Sequence, residues 1–289
     1  MDQLLYNEFG NLVLTNFWKK YPNLSPPFKR FDKNYRTIHG IANRLYRSKE
    51  ANMKKGENIN PEDNGILACL IQESRLNPDL EGMPLSVFIE SMAAGHVTAS
   101  PVTGFFLYHL ATNPDKQQIV YEEIMRKIGD KPITRSGLNR LKYFRACSKE
   151  SQRITPPFMG LPREIQNPIV IRGYQIPPGT SVMLNQETLN QMHVPNPAEF
   201  VPERWLRGSN HPLEKSVPNF GNLIFGYGRR QCPGKRPVTT YMDVLVIKML
   251  KEFRIEYHEQ PIKVDFKNFA VSLNQSPDLL NLRLIKRSK

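Results

Sequence analysis

Cysteine is scarce in this sequence, and the pattern that is missing around it excludes several kinds of site. The 289 residues contain three cysteines, Cys69, Cys147 and Cys232. An odd number at wide spacing, in a chain long enough to build its own core, indicates free thiols and a reducing compartment. Because no two cysteines form a CxxC pair, zinc-ribbon and iron–sulfur sites of that pattern are excluded.

Long apolar runs, internal repeats and low-complexity tracts are also missing. No apolar stretch reaches the ~18 residues that a membrane-spanning helix needs. The start, MDQLLYNEFG, is polar and lacks the apolar core of a signal peptide. The sequence alone therefore predicts a soluble or peripheral protein.

Positive charge is in excess: 40 Lys and Arg stand against 27 Asp and Glu, a net charge of +13. Such an excess favours an anionic partner, whether nucleic acid, an acidic membrane surface or an acidic protein, although solvated basic faces account for it equally well. The charge is spread along the chain, and no aromatic–basic motif of a nucleic-acid-binding module is present. We therefore expect no nucleic-acid partner.

The chain is helical first and irregular later. An apolar segment predicts a long helix over 84–112, and the pattern LNRLKYFRACSKESQRI predicts a further helix, whose main part we place at 140–154. IVIRGYQIPPGTSVML predicts a short hairpin around a Pro-Pro-Gly turn. Residues 185–234 are rich in turn formers with little periodicity, and a last helix is predicted from roughly Val238 to Phe253.

One loop in the irregular part, FGYGRRQCPG, sets Cys232 among glycines and arginines just before the last helix. A helix N-terminus stabilises a thiolate, and glycines let the backbone approach the sulfur closely. The arginines offer planar cations for carboxylates. These features suit a thiolate iron ligand beside a haem propionate. From the residues alone, a surface turn with an incidental cysteine stays an open alternative.

The five positions Phe225, Gly228, Arg230, Cys232 and Gly234 form F-x-x-G-x-R-x-C-x-G. This pattern resembles the haem-binding signature of the cytochrome P-450 family. The resemblance implies haem b (iron protoporphyrin IX) with its iron bound by the Cys232 thiolate. It further implies that Arg230 meets a propionate, that Gly228 and Gly234 shape the loop, and that Phe225 packs beside the sulfur.

Two further motifs occur in the order found in that family. Glu150 and Arg153 are spaced i, i+3 on the helix KESQRI, and Arg204 follows in FVPERW. An isolated E-x-x-R is usually an ordinary surface ion pair, but the resemblance implies that these three residues form a buried structural triad. It also implies that Arg163, in MGLPRE, meets a propionate.

The long helix carries AAGHVTAS, which is similar to the oxygen-site pattern of the family at Ala94, Gly95 and Thr98. The resemblance implies room for dioxygen and a hydroxyl beside it. Val97 replaces the usual acid of the pattern. Pro101 lacks the N–H that would bond to the carbonyl four residues earlier, so we expect a kink there.

Arg145 and Lys149 are spaced i, i+4 on the triad helix and so share a face. LKYFRACSKESQRITPP and NFWKKYPNLSPPFKRF resemble the mitochondrial class of the family, in which such cations receive an acidic ferredoxin. A flavoprotein reductase and exposed cations without a partner are the alternatives. The implied location is membrane-associated, with the mitochondrial inner membrane favoured over the endoplasmic reticulum.

The expected fold is mainly α with small β-sheets (α+β), the cytochrome P-450 fold with its N-terminal part missing. Residues 1–289 would be the C-terminal portion of a single domain. The implied function is a monooxygenase that inserts one oxygen atom of O2 into a small apolar substrate, sterol-like or xenobiotic. A catalytically inactive haem-binding or structural remnant is the alternative. Because the chain lacks part of the fold, we expect it to bind haem poorly alone and to leave LYHL, 107–110, in water.

Overall fold

The computed structural model describes residues 26–54, 65–80, 83–158, 160–185, 188–189, 192–217, 223–260, 265–267, 270–272 and 280–287. The chain divides into two compact units, Met1–Thr98 and Ala99–Lys289. Expectations that fall on residues 1–25 or on the side chain of Val97 lie outside the described residues.

The helices are α1 (Pro26–Lys54), α2 (Ile66–Leu76), α3 (Met83–Ala111), α4 (Pro114–Lys127), α5 (Arg135–Arg140), α6 (Lys142–Ile154) and α7 (Lys235–Glu252). Short 3-10 turns occupy Pro78–Leu80, Pro202–Trp205 and Gly228–Arg230. None of the helices within the described ranges combines the length and apolarity needed to cross a membrane.

The strands are β1 (Gly160–Glu164), β2 (Ile169–Ile171), β3 (Tyr174–Ile176), β4 (Ser181–Asn185), β5 (Phe253–Glu256), β6 (Asp265–Lys267), β7 (Ala270–Ser272) and β8 (Arg283–Lys286). In the described part of the chain they form antiparallel pairs: β1 with β4, β2 with β3, β5 with β8, and β6 with β7. The expected fold class, mainly helical with small sheets, is confirmed.

In the first unit, α1 and α2 pack through a small apolar cluster. Met53 of α1 contacts Ala68 and Ile71 of α2, and Tyr46 and Leu67 flank them. These residues recur at the three- and four-residue spacing that places them on one face of each helix.

The core of the second unit gathers the end of α3, α4, α6, α7 and β5. Phe106 of α3 meets Phe144 of α6 edge to face at 5.4 Å between ring centroids. The buried Gln117 side chain donates to the carbonyls of Leu110 and Ile255 at 3.0 and 2.8 Å and accepts from the Ile255 N–H at 2.9 Å. One amide thus satisfies backbone groups at the end of α3 and in β5.

The start of α7 also packs on α3. Val238 and Met242 contact Ala99 and Val102, which lie one and four residues after the threonine of the AAGHVTAS motif. The helix that follows Cys232 is therefore fixed against the second half of the long helix by apolar contacts.

Residues 138–154 form two helices instead of the single one that was expected. The chain breaks at Leu141, which has φ −80° and ψ 81°. The carboxylate of Glu123 on α4 accepts the N–H groups of Lys142 and Phe144 at 2.9 and 3.0 Å. A side chain from another helix therefore caps α6, so local periodicity could not place this boundary.

The predicted hairpin around Pro177-Pro178-Gly179 is wrong. The hairpin turn is Arg172-Gly173, which joins β2 to β3 with φ values of +48° and +86°. Both residues adopt the left-handed conformation that two-residue hairpin turns prefer. The Pro-Pro-Gly stretch instead leads from β3 into β4, which pairs with β1.

The expectation that LYHL, 107–110, lies in water is also wrong. Leu107, Tyr108, His109 and Leu110 are all at most 8% exposed. Tyr108 meets the Tyr257 ring edge to face at 5.0 Å, so part of this cover comes from the C-terminal part of the same chain.

Candidate functional site

The cysteine loop, residues 225–234, is closed by two short backbone hydrogen bonds. The Cys232 N–H donates to the Phe225 carbonyl at 2.7 Å, and the Gln231 N–H donates to the Gly228 carbonyl at 3.0 Å. Gly228 has a φ of +69°, a backbone conformation in which a residue with a side chain would be strained. The motif glycine therefore stands where the backbone needs it.

Cys232 is exposed and lies three residues before the first residue of α7. Free N–H groups and the positive end of the helix dipole occur at such a position. A Cβ on Gly234 would lie 3.6 Å from Cys232 Sγ, so glycine keeps that side of the sulfur bare. The loop thus presents an accessible sulfur.

Cationic side chains lie in this loop and directly after it. Arg230 is exposed, and Lys235 Nζ lies 5.9 Å from the centroid of the Phe225 ring. Leu161 of β1 lies 4.0 Å from where a Cβ on Gly226 would stand. Arg163 shares the face of β1 with Leu161, since side chains alternate along a strand. The face of β1 that carries Arg163 is therefore the one directed at the cysteine loop.

The structure brings Glu150, Arg153 and Arg204 together. Arg153 donates Nε to Glu150 Oε2 at 2.9 Å and Nη2 to Oε1 at 2.8 Å, and Arg204 donates Nε to Oε1 at 3.0 Å. All three side chains are at most 1% exposed. This is a buried, bidentate charge network.

The Glu150 carboxylate has two further donors that the predicted triad does not include. Trp205 Nε1 donates to Oε2 at 2.8 Å, and the Val201 N–H donates to Oε1 at 3.1 Å. The tryptophan next to Arg204 is the sequence feature that could have predicted the first of these bonds, because a buried indole N–H usually has a hydrogen-bond partner.

The two arginines bind the irregular segment mainly by its carbonyl oxygens. Arg153 Nη1 donates to Pro197 O at 2.8 Å and its Nη2 to Glu199 O at 3.2 Å. Arg204 Nη2 donates to Asn196 O at 2.9 Å. The network therefore satisfies backbone groups that no regular ladder satisfies.

Ala94, Gly95 and Thr98 lie together on α3. The Thr98 hydroxyl donates to the Ala94 carbonyl at 2.9 Å. Among the residues that the structure describes, nothing lies within 4 Å of where a Cβ on Gly95 would stand, apart from its chain neighbours and the helix backbone. Helix α3 continues through Pro101 to Ala111, so the proline at which we expect a kink does not end the helix.

His109 lies beside the triad helix and was not singled out from the sequence. Its ring stacks on Phe200 at 5.3 Å, and its Nε2 lies 3.3 Å from Thr155 Oγ1. Because Thr155 already donates its hydroxyl to the Ser151 carbonyl, His109 Nε2 is the donor in this pair. Burial, with a smaller effect of Arg153, lowers the pKa of His109 to about 3, so the ring is neutral.

Arg145 and Lys149 are both exposed on α6. Burial, and then the nearby cations Arg145, Arg207 and Lys235, lower the pKa of Lys149. The two predicted cations therefore belong to a larger positive cluster that also includes the start of α7.

The donor set at Cys232 fits haem. Groups of three or more His, Cys, Asp or Glu side chains able to hold a metal ion are absent from the described residues. The loop offers one thiolate, which would suit an iron whose other ligands come from a porphyrin.

The family model for cytochrome P450 matches residues 2–282. Cytochrome P450 CYP12A2 of Musca domestica is 36% identical over 199 residues, which cover 64% of this chain and 36% of the relative. Probable cytochrome P450 12c1, mitochondrial, of Drosophila melanogaster is 30% identical over 281 residues, 91% of this chain and 52% of the relative. The chain thus spans between about a third and a half of the length of these relatives. The chain belongs to the cytochrome P450 family.

Proposed function

We propose that the protein is part of a haem-thiolate monooxygenase with Cys232 as the iron ligand. The observation that carries the proposal is the cysteine loop: an exposed sulfur at the start of α7, held by the bond between Cys232 N–H and the Phe225 carbonyl. Bound haem iron would supply the activation of dioxygen by two electrons, which thiolate donation favours.

The residues of the chain have distinct tasks in this proposal. Cys232 holds the iron, while Arg230 and Arg163 balance the propionates. Ala94 and Gly95 leave room for dioxygen. Thr98 holds a proton at Oγ1, which it can present only when it releases the Ala94 carbonyl to which it now donates. The substrate class is small and apolar.

The triad has a structural task. Glu150, Arg153 and Arg204 hold the irregular segment before the cysteine loop in one conformation, so that the loop is presented without regular secondary structure around it. Residues 1–289 would be the C-terminal portion of a single domain, in keeping with the greater length of the relatives.

The electron donor in this proposal is an acidic ferredoxin. The support is the positive cluster around Lys149 and the word mitochondrial in the names of several relatives. The same names support a mitochondrial location, which in this proposal is at the inner membrane. A flavoprotein reductase is the alternative donor, and reduction by each purified donor in turn discriminates them.

The spectrum of the reduced, carbon-monoxide-bound protein tests the assignment of Cys232. A thiolate ligand gives a strongly red-shifted Soret band, which Cys232→Ser should abolish. Cys69→Ser, which changes another exposed free cysteine, is the matched control and should keep the band. A red-shifted band in the Cys232→Ser variant would refute the assignment. Haem binding without product formation from any apolar substrate would instead favour the inactive remnant.

A further inference from the structure

Trp205 contacts both the buried charge network and a lysine at the protein surface. Its indole Nε1 donates to Glu150 Oε2 at 2.8 Å. The Nζ of Lys149 lies 5.5 Å from the centroid of the same ring, within the range of a cation–π interaction. Lys149 immediately precedes Glu150 on α6, so two neighbouring residues of one helix meet one tryptophan.

Lys149 belongs to a group of exposed cations that we name the cationic surface. Its members are Arg145, Lys149, Arg207 and Lys235. They come from α6, from the residues after the Pro202–Trp205 turn, and from the start of α7. The like charges of these side chains repel one another, which favours an anion bound among them. Such an anion would attract the Lys149 ammonium and compete with the Trp205 ring for it.

We propose that Trp205 is a positioning residue that couples the cationic surface to Glu150, so that a polyanion bound at that surface changes the environment of the indole. The inference rests on the proposed function only in taking the natural partner to be anionic. The Glu150 carboxylate also receives Arg153 and Arg204, so a displaced indole alters a bond to the same oxygen, Oε2, that Arg153 Nε reaches at 2.9 Å.

Fluorescence of a single tryptophan tests this coupling. The sequence has two tryptophans, Trp18 and Trp205, so Trp18→Phe leaves Trp205 as the only emitter. The probe is poly-L-glutamate, which has no chromophore to quench the indole, added to the 289-residue chain. We expect a saturable shift of the emission maximum that weakens as salt is raised.

A pair of matched substitutions identifies the route. Lys149→Gln should abolish the shift. Lys215→Gln should leave it intact, because Lys215 is a 73%-exposed lysine outside the cationic surface. As a second measurement, the Nε1 proton resonance of Trp205 should move on titration and should stay in place in Lys149→Gln. A merely structural tryptophan would not give a response that depends on Lys149.

The outcomes separate this inference from the proposed function. A Lys149-dependent response in a protein that no ferredoxin reduces would support the coupling and reject the proposed donor. Efficient reduction by a ferredoxin, with the emission and the Nε1 resonance unchanged by any polyanion, would refute the coupling and keep the proposed donor. An equal loss of the shift in Lys149→Gln and Lys215→Gln would also refute it.

Discussion

Replacing Glu150 by alanine should remove most of the stability of the second unit. The carboxylate accepts hydrogen bonds from Arg153, Arg204, Trp205 and the Val201 N–H at 2.8–3.1 Å. Its side chain is completely buried, as are those of the two arginines within 1%. Alanine would leave two guanidinium charges in the interior without an anion.

The expected loss follows from the burial of those charges. Removing one partner of a buried ion pair costs about 3–5 kcal/mol. Each buried donor left without an acceptor costs about 1–3 kcal/mol more, and the indole and Val201 N–H groups are two such donors. Small proteins are stable by only about 5–15 kcal/mol in total. We therefore expect Glu150→Ala to be insoluble or unable to retain haem.

Urea unfolding followed by circular dichroism measures the effect, with soluble yield and haem content as companion assays. Glu150→Gln keeps the shape and one carbonyl acceptor, so it should remain measurable while still losing stability. Glu122→Ala is the control, because Glu122 is an exposed residue on α4 whose carboxylate accepts a hydrogen bond from Gln118 four residues away. If Glu150→Ala unfolds within about 1 kcal/mol of the unchanged protein, the network contributes only as much as a surface ion pair does, and our reasoning fails.

Three further predictions concern protonation, the oxygen motif and the cysteine loop. His109 is neutral in the fold, with a pKa of about 3, whereas in the unfolded chain it takes up a proton below about pH 6.5. The free energy of unfolding should therefore fall by up to about 1.4 kcal/mol per pH unit on acidification between these values. Urea unfolding at several pH values measures this fall, and an unchanged pH dependence in His109→Phe would contradict it. Val97→Asp should raise product formed per electron consumed, because a carboxylate next to Thr98 can deliver protons; tight coupling in the unchanged complete enzyme would refute this. Gly226→Ala should lower haem retention, because Gly226 has a φ of +73° and a Cβ there would lie 3.4 Å from the Arg230 carbonyl oxygen. Gly40→Ala is the control, since no described neighbour lies within 4 Å of a Cβ at Gly40. Equal haem loading in the two variants would argue against strain in the loop.

Much of the candidate site could be predicted because its information is local. The motif around Cys232 is contiguous, and its glycine and cysteine requirements follow from backbone conformation and metal chemistry. The spacing of Glu150 and Arg153 places both on one helix face before any tertiary contact is known. The long helix follows from its apolar run and from the Asn113-Pro114 turn that ends it.

The parts that could not be predicted depend on contacts between distant residues. Glu123 caps α6 from another helix, so the break at Leu141 has no local signal. The burial of His109 depends on Phe200 and Thr155, which periodicity does not bring together. The hairpin error has a different cause: Pro-Pro-Gly is a strong turn signal, but the conformation of Arg172 and Gly173 decides which strands pair.

The way in which Arg153 and Arg204 hold the irregular segment has a consequence for sequence change. The Arg153 guanidinium contacts the carbonyl oxygens of Pro197 and Glu199, and every residue type has a carbonyl oxygen. Substitutions of these two side chains should therefore leave the anchor unchanged, whereas substitution of either arginine should not be tolerated. In a library of single variants, we expect many substitutions to be tolerated at Pro197 and Glu199. We expect few to be tolerated at Arg153 and Arg204. A region can thus be variable in sequence and still constant in shape.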